Sequence, residues 1–274
     1  MEPDQSPRFE NAGAVREEAF SRVLSAAASR RITGCILDIG EQILMSGGEA
    51  GRVEDTIARM GAAYGFRKTD VFTITSSIIV TVEDSFGNYF TQTRRVRQTA
   101  TDMERVRLCN ELSRRICRSP LPEKELRAEI EKLSEIRGYP LLMRYLGYGL
   151  IASCMAVFFG GDLMDFAAAA LMGPVVLFIF EIGKKAEIQN FMVYFLDAFI
   201  VGLLIYLLLL CGIGHHYDKI AMGNIMLLIS GVALTTAVRD MINGDTITGL
   251  LGLMNALLQA ASIALGFVAA LLVF

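Results

Sequence analysis

Histidine is absent from the first 214 residues, which removes any Ser–His or Cys–His nucleophilic pair from that whole stretch. No GxxxxGK[ST] run occurs anywhere, so direct ATP drive by this chain has no support in its sequence. The five cysteines, Cys35, Cys109, Cys117, Cys154 and Cys211, show no CxxC spacing. They read as reduced, packed residues, neither disulfides nor metal ligands. Charge is scarcest in the second half. Of 26 Lys and Arg, 22 precede residue 145, and only Lys184, Lys185, Lys219 and Arg239 follow; the 29 acids divide 21 and 8. A charge-rich stretch of net charge +1 therefore precedes a charge-poor one of net charge −4. Such a split marks two solvents, water and lipid.

The segment from Met1 to about residue 30 mixes Glu17 and Glu18 with Arg16 and Arg22 and has no apolar core of signal-peptide length. It is expected to be a flexible lead, not a signal sequence. From 31 to 138 the patterning predicts an N-terminal cytoplasmic α+β domain. Ile32, Ile36, Ile39 and Ile43 draw one helical stripe, ended by Gly47 and Gly48, and Val53, Ile57, Met60 and Tyr64 draw a second, stopped at Gly65. Between Val71 and Glu83 the period becomes two, predicting one strand with Phe72, Ile74, Ile78, Val80 and Val82 on its dry face. The turn Ser85 to Asn88 leads to a partner strand at Tyr89 to Val96. Thr101 with Glu104 reads as the capping box of a helix carrying Met103, Val106, Cys109, Leu112 and Ile116; Pro122 opens the last helix of the domain.

Arg94, Arg95 and Arg97, continued by Arg105, Arg107, Arg114, Arg115 and Arg118, form a basic stripe. The near-neutral domain carries no nucleic-acid motif, so no nucleic-acid partner is expected. The stripe reads as solvated surface or as a face lying against anionic lipid.

From 141 to 274 the chain predicts about five transmembrane helices, at 141–159, 163–180, 191–211, 220–238 and 246–274, of helical and not barrel-strand length. Arg137, Arg144, Lys184, Lys185 and Arg239 fall on one side of these spans and only Lys219 on the other. The positive-inside rule then puts the amino terminus in the cytoplasm and the carboxyl terminus outside a bacterial plasma membrane.

Ionisable residues in such spans are functional candidates by default. Asp197 lies in the apolar run FMVYFLDAFIVGLLIY without a nearby cation in sequence. It carries a coupling proton, holds a substrate ammonium, or hydrogen-bonds a neighbouring helix or subunit. Arg239 and Asp240 follow the small-residue segment Ser230, Gly231 to Thr235 and Thr236, and snorkelling at the interface would also explain them. Asp245 sits where it would cap the last span. Ala256, Ala260 and Ala264 offer close helix approach, flanked by Asn255 and Gln259. Together Asp197, Arg239, Asp240, Ser230, Gly231, Thr235 and Asn255 are the candidate substrate or proton pathway. Adjacent His215 and His216 argue against one shared metal, and neither metal nor cofactor is expected.

Two stretches, Ile36 to Gly65 (ILDIGEQILMSGGEAGRVEDTIARMGAAYG) and Ile229 to Gly249 (ISGVALTTAVRDMINGDTITG), resemble the ThrE threonine/serine exporter family. The resemblance covers the chain from about residue 32 onward and implies efflux of small polar metabolites. Members commonly have Pro-Gly where this chain has Ser230-Gly231, so the proline that would break the helix is missing. A full-length exporter of the family continues into a second hydrophobic unit. This chain stops after its fifth span and looks like the larger, YjjP-type subunit of the two-component form, implying a small YjjB-type membrane partner, with homo-oligomers expected as well. That form also admits succinate or another dicarboxylate as cargo. Two other classes stay open: an enzyme using Glu49, Glu54, Asp55, Glu83 or Asp84, and a membrane-anchored sensor or scaffold.

Overall fold

The computed structural model describes residues 26–96, 100–135, 138–186 and 188–273. The flexible lead expected up to about residue 30 falls mostly outside these residues, as does Arg97. The described residues divide into two compact units. The first takes those up to 135 and returns for Arg239–Thr248; the second takes those from Gly138 to Val238 and from Gly249 on.

In the first unit the elements run α1 (Ala26–Met45), α2 (Ala50–Ala63), β1 (Lys68–Ile74), β2 (Ser77–Glu83), β3 (Tyr89–Arg95), α3 (Met103–Arg118) and α4 (Glu123–Ser134). Every residue of the two predicted helical stripes is buried, and Gly65 takes the left-handed backbone (φ 81°) that ends α2. Those stripes pack with Ile78, Val80 and Val82 of β2 and with Cys109, Leu112 and Ile116 of α3 into one core. The sheet is antiparallel in the order β1-β2-β3.

Two expectations fail here. The single strand from Val71 to Glu83 is a hairpin, reversed at Thr75-Ser76 so that Val71 pairs with Val80 and Thr73 with Ile78. Cross-strand partners share a face. Thr73 is therefore buried at 2% exposure while Phe72 stands 54% exposed, the opposite of the predicted facing. The alternation gave no warning, because a two-residue turn continues the even spacing unbroken. The cap of α3 is likewise Asp102, whose carboxylate accepts the Arg105 amide at 3.0 Å, and not Thr101. As for the cysteines, Cys35 and Cys109 are packed in the core, but Cys117, Cys154 and Cys211 are exposed.

The second unit is helical: α5 (Leu141–Phe158), α6 (Leu163–Lys185), α7 (Asn190–Leu210), α8 (Tyr217–Leu228), α9 (Gly231–Asn243) and α10 (Thr246–Leu271). Among the described residues four of these, α5, α6, α7 and α10, are long and apolar enough to cross a membrane. The predicted fourth span is not one helix. It is the pair α8 and α9, bent by 54° at Ile229-Ser230, and counts as a fifth crossing only as a broken one. Ile229 has the extended backbone (φ −80°, ψ 119°) that breaks it, so the bend is present with serine where the resembling family has proline.

Small residues set the helix spacing. Ala152 and Ala156 of α5 meet Ala168 and Ala169 of α6 and Ala198 of α7 in a core of low side-chain bulk. Backbones approach closely at such contacts. A Cβ placed on Gly173 would stand 2.5 Å from the Tyr148 carbonyl oxygen and 2.8 Å from Gly149 Cα. Backbone cannot rotate away as a side chain can, so Gly173→Ala should cost about 1–3 kcal/mol, read as a lower aggregation temperature in detergent. An unchanged temperature would mean that α5 and α6 are less tightly packed than this.

Candidate functional site

Helix α2 starts just after the Gly47-Gly48 turn, and its N-cap residue, Glu49, makes no side-chain cap bond. The first amide groups of a helix need partners from elsewhere. The chain supplies them from 190 residues downstream. Asp240, buried, lies by the Ala50 amide, and Arg239 Nη1 donates to Glu49 Oε1 at 2.5 Å. Asp245 Oδ2 lies 3.0 Å from where a Cβ on Gly51 would be, a close approach that the bare glycine leaves room for. The other end of the returning segment is held by the sheet: Thr248 Oγ1 donates to the Thr73 carbonyl (3.1 Å), and the Thr73 amide donates to Glu54 Oε1 (2.7 Å). Residues 239–248 are thereby clasped by the start of α2 and the end of β1.

The clasp is acidic. Glu49, Glu54, Asp240 and Asp245 surround it, and Arg239 is the cation that answers them. Burial pushes the Glu54 carboxyl above the usual carboxylate range, with the Asp245 charge adding to that and the Thr73 amide opposing it. One carboxylate oxygen of Asp240 is buried without a hydrogen-bond partner among the described residues. Arg239 and Asp240 thus make contacts within the first unit. The two stretches most distinctive in the sequence, 36–65 and 229–249, meet at this clasp. Neither alone signals the contact.

The second unit holds Asp197 on α7 at 0% exposure, with neither carboxylate oxygen partnered by any described group. A polar group buried without a hydrogen bond costs free energy, which makes it a candidate for a functional role.

At the broken span the exposed groups are partly answered. Gln259 Nε2 donates to the Leu228 carbonyl where α8 ends, and Ser230 Oγ accepts the Ala233 amide (3.3 Å) where α9 begins. Thr235 returns its hydroxyl proton to the Gly231 carbonyl (2.8 Å). Gly231, Thr235 and Asn255 are all exposed. The structure therefore gathers Ser230, Gly231 and Thr235 at one helix break. Arg239 and Asp240 lie at the clasp, and Asp197 is buried on α7.

Sequence reasoning passed over a further cluster. Asp162 caps α6, accepting the Met164 and Asp165 amides, and Asp165 closes the box by accepting the Asp162 amide. Asp165 also accepts the His215 and His216 amides, and its Oδ2 lies 2.8 Å from His216 Nδ1; His215 Nδ1 pairs with Asp162. Ligand atoms of Asp162, Asp165 and His216 lie within 4.8 Å of one another, a set of donors suited to a metal ion. Two aspartates at a helix start after Gly160-Gly161 were the available signal.

Pairing with the Asp162 carboxylate holds the His215 pKa above its ordinary value, and His215 holds Asp162 below its own. A raised histidine contributes stability below its unfolded pKa and loses it as pH rises through the folded one, whereas the lowered carboxylate loses its share as pH falls. The latch is therefore strongest in mild acid. Histidine-selective NMR should place His215 above about 6.5, and Asp162→Asn should bring it back; an unshifted His215 in the wild type would mean that the pair does not form.

A family model described as "Putative threonine/serine exporter" matches residues 35–274. A protein of Klebsiella aerogenes named probable succinate transporter subunit YjjP is 24% identical over 88% of this chain and 93% of its own length. Its namesake in Escherichia coli K12 is 24% identical over 89% of this chain and 95% of its own. No solved structure matches the chain.

Proposed function

The chain belongs to the threonine/serine exporter family, and from that premise we propose that it exports small polar metabolites, threonine and serine foremost, by proton-coupled secondary transport. It is a multi-pass membrane protein and a transporter subunit. In the proposed arrangement it is the larger subunit, and a small YjjB-type membrane partner completes the path, with the assembly itself oligomeric. The Lys and Arg bias supports an amino terminus in the cytoplasm of a bacterial cell and a carboxyl terminus outside.

The broken span carries this reading. Discontinuous helices supply binding sites in secondary transporters, because a half-helix start offers free amides and a positive dipole end to an anionic group. At the start of α9 those amides come with Ser230, bare Gly231 and an exposed Thr235. The carboxylate of the cargo is proposed to lie there, with Asp197 as the proton-carrying group. Exposed Thr235 and Asn255 are polar residues for which a partner subunit is the natural cover.

The clasp gives the first unit a part in transport. The end of α9, from Arg239 on, belongs to the first unit and carries the pair with Glu49.

A second reading, succinate export, takes support from the name of the two relatives. Charge favours the amino acid. A dicarboxylate wants two cations, and Arg144 is already paired with Glu181, Lys219 with Asp218 and Arg239 with Glu49, which leaves Lys184 and Lys185 in the last turn of α6, away in sequence from the helix break. Labelled threonine counterflow in vesicles, challenged with unlabelled serine or succinate, decides between them. Competition by serine alone supports the first reading, and competition by succinate alone replaces it with the second.

A further inference from the structure

The first unit contains a cleft of about 550 Å³ between α2 and α3. Arg52, Asp55 and Arg59 line it from α2, and Asn110, Arg114 and Arg118 line it from α3. Intervals of three and four residues keep each set on one helix face, so two stripes converge on the same space. Their charges are unequal. Arg59 is held by Asp55 at 2.8 Å, but among the described residues no ion pair or hydrogen bond engages Arg52, Arg114 or Arg118. Elsewhere on α3 the arginines are answered: Arg107 by Glu104 and Glu111, and Arg115 by Glu129. The arginines left unpaired on that helix are those that face the cleft.

We propose that this cleft is a binding site for a compact polyanion, a soluble metabolite bearing two or more phosphate or carboxylate groups. Guanidinium groups match such oxygens in geometry and charge. A bilayer surface is the other anionic partner for a basic face, but a concave groove between two helices fits a small molecule better than a flat sheet of headgroups. Uncharged Asn110 and Ser113 in the lining add hydrogen-bonding capacity of the kind that orients a small ligand. Glu49 lines the same cleft while holding Arg239, so the site adjoins the clasp. The inference does not rest on the identity of the cargo.

Calorimetric titration of the full-length chain in neutral detergent tests it, with inorganic pyrophosphate and succinate as separate probes. At least one probe should bind saturably, and Arg114→Ser with Arg118→Ser should weaken it about tenfold or more. Arg107→Ser, on the outward face, should leave binding unchanged, as should Asp197→Asn, which separates the cleft from any transport site. Absence of saturable binding by both probes would overturn the proposal. So would equal affinity in the double variant, and so would binding confined to phosphatidylglycerol vesicles, which would make the stripe a lipid-facing surface.

Discussion

Replacing Asp197 by asparagine should reduce transport to the background of empty vesicles while the protein still folds and still assembles. The side chain is wholly buried on α7 and neither oxygen has a hydrogen-bond partner among the described residues. A carboxyl retained for structure alone would be expected to bond a neighbouring helix, and its loss would leave that neighbour unsatisfied. Here no such neighbour is left behind. Asparagine keeps the size and removes the ability to take up and release a proton, so Asp197→Asn should match or exceed the wild type in thermal stability. Transport at the wild-type rate would eliminate Asp197 as the coupling group. Loss of folded protein would assign the residue to packing.

Reversing the clasp pair is the second large effect. Arg239→Glu sets a further acid against Glu49, Asp240 and Asp245, and repulsion at that point should free the returning segment from the start of α2. Flux should fall about tenfold, and Glu49→Arg in the same protein should recover most of it, as expected of a coupling energy of roughly 0.5–3 kcal/mol. The pair itself contributes only about 0–1 kcal/mol to stability, since the Arg239 side chain is 56% exposed. A single variant with full flux would detach the first unit from the transport cycle. A double variant as poor as the single would show that Arg239 acts through some other group.

Much of the architecture was legible because solvent writes directly into composition. The two helical stripes of the first unit follow from burial in a protein core, and the long apolar runs of α5, α6, α7 and α10 from the length and hydropathy that a bilayer demands. What escaped was information that spacing cannot carry. The β1–β2 reversal preserved the alternation. The break before Ser230 depends on the backbone of Ile229, and a residue with no special turn chemistry gave no sign of it. The clasp joins residues 190 apart, so Glu49 read as an ordinary acid at a helix start and Arg239 as an interfacial cation. Glu83 and Asp84, open as catalytic acids from sequence, serve the β2–β3 turn: Asp84 accepts the Phe86 and Asn88 amides, and Glu83 accepts the Tyr89 hydroxyl. Asp162 and Asp165 were overlooked because their partners, His215 and His216, lie about 50 residues away.

Counterflow of labelled threonine into vesicles holding this chain together with the proposed small membrane partner tests the central claim most directly. The account predicts saturable exchange that disappears when either subunit is left out. Vesicles that hold the assembled pair, retain their contents and still show no exchange of threonine, serine or succinate would contradict it, and would make the spans an anchor for the first unit.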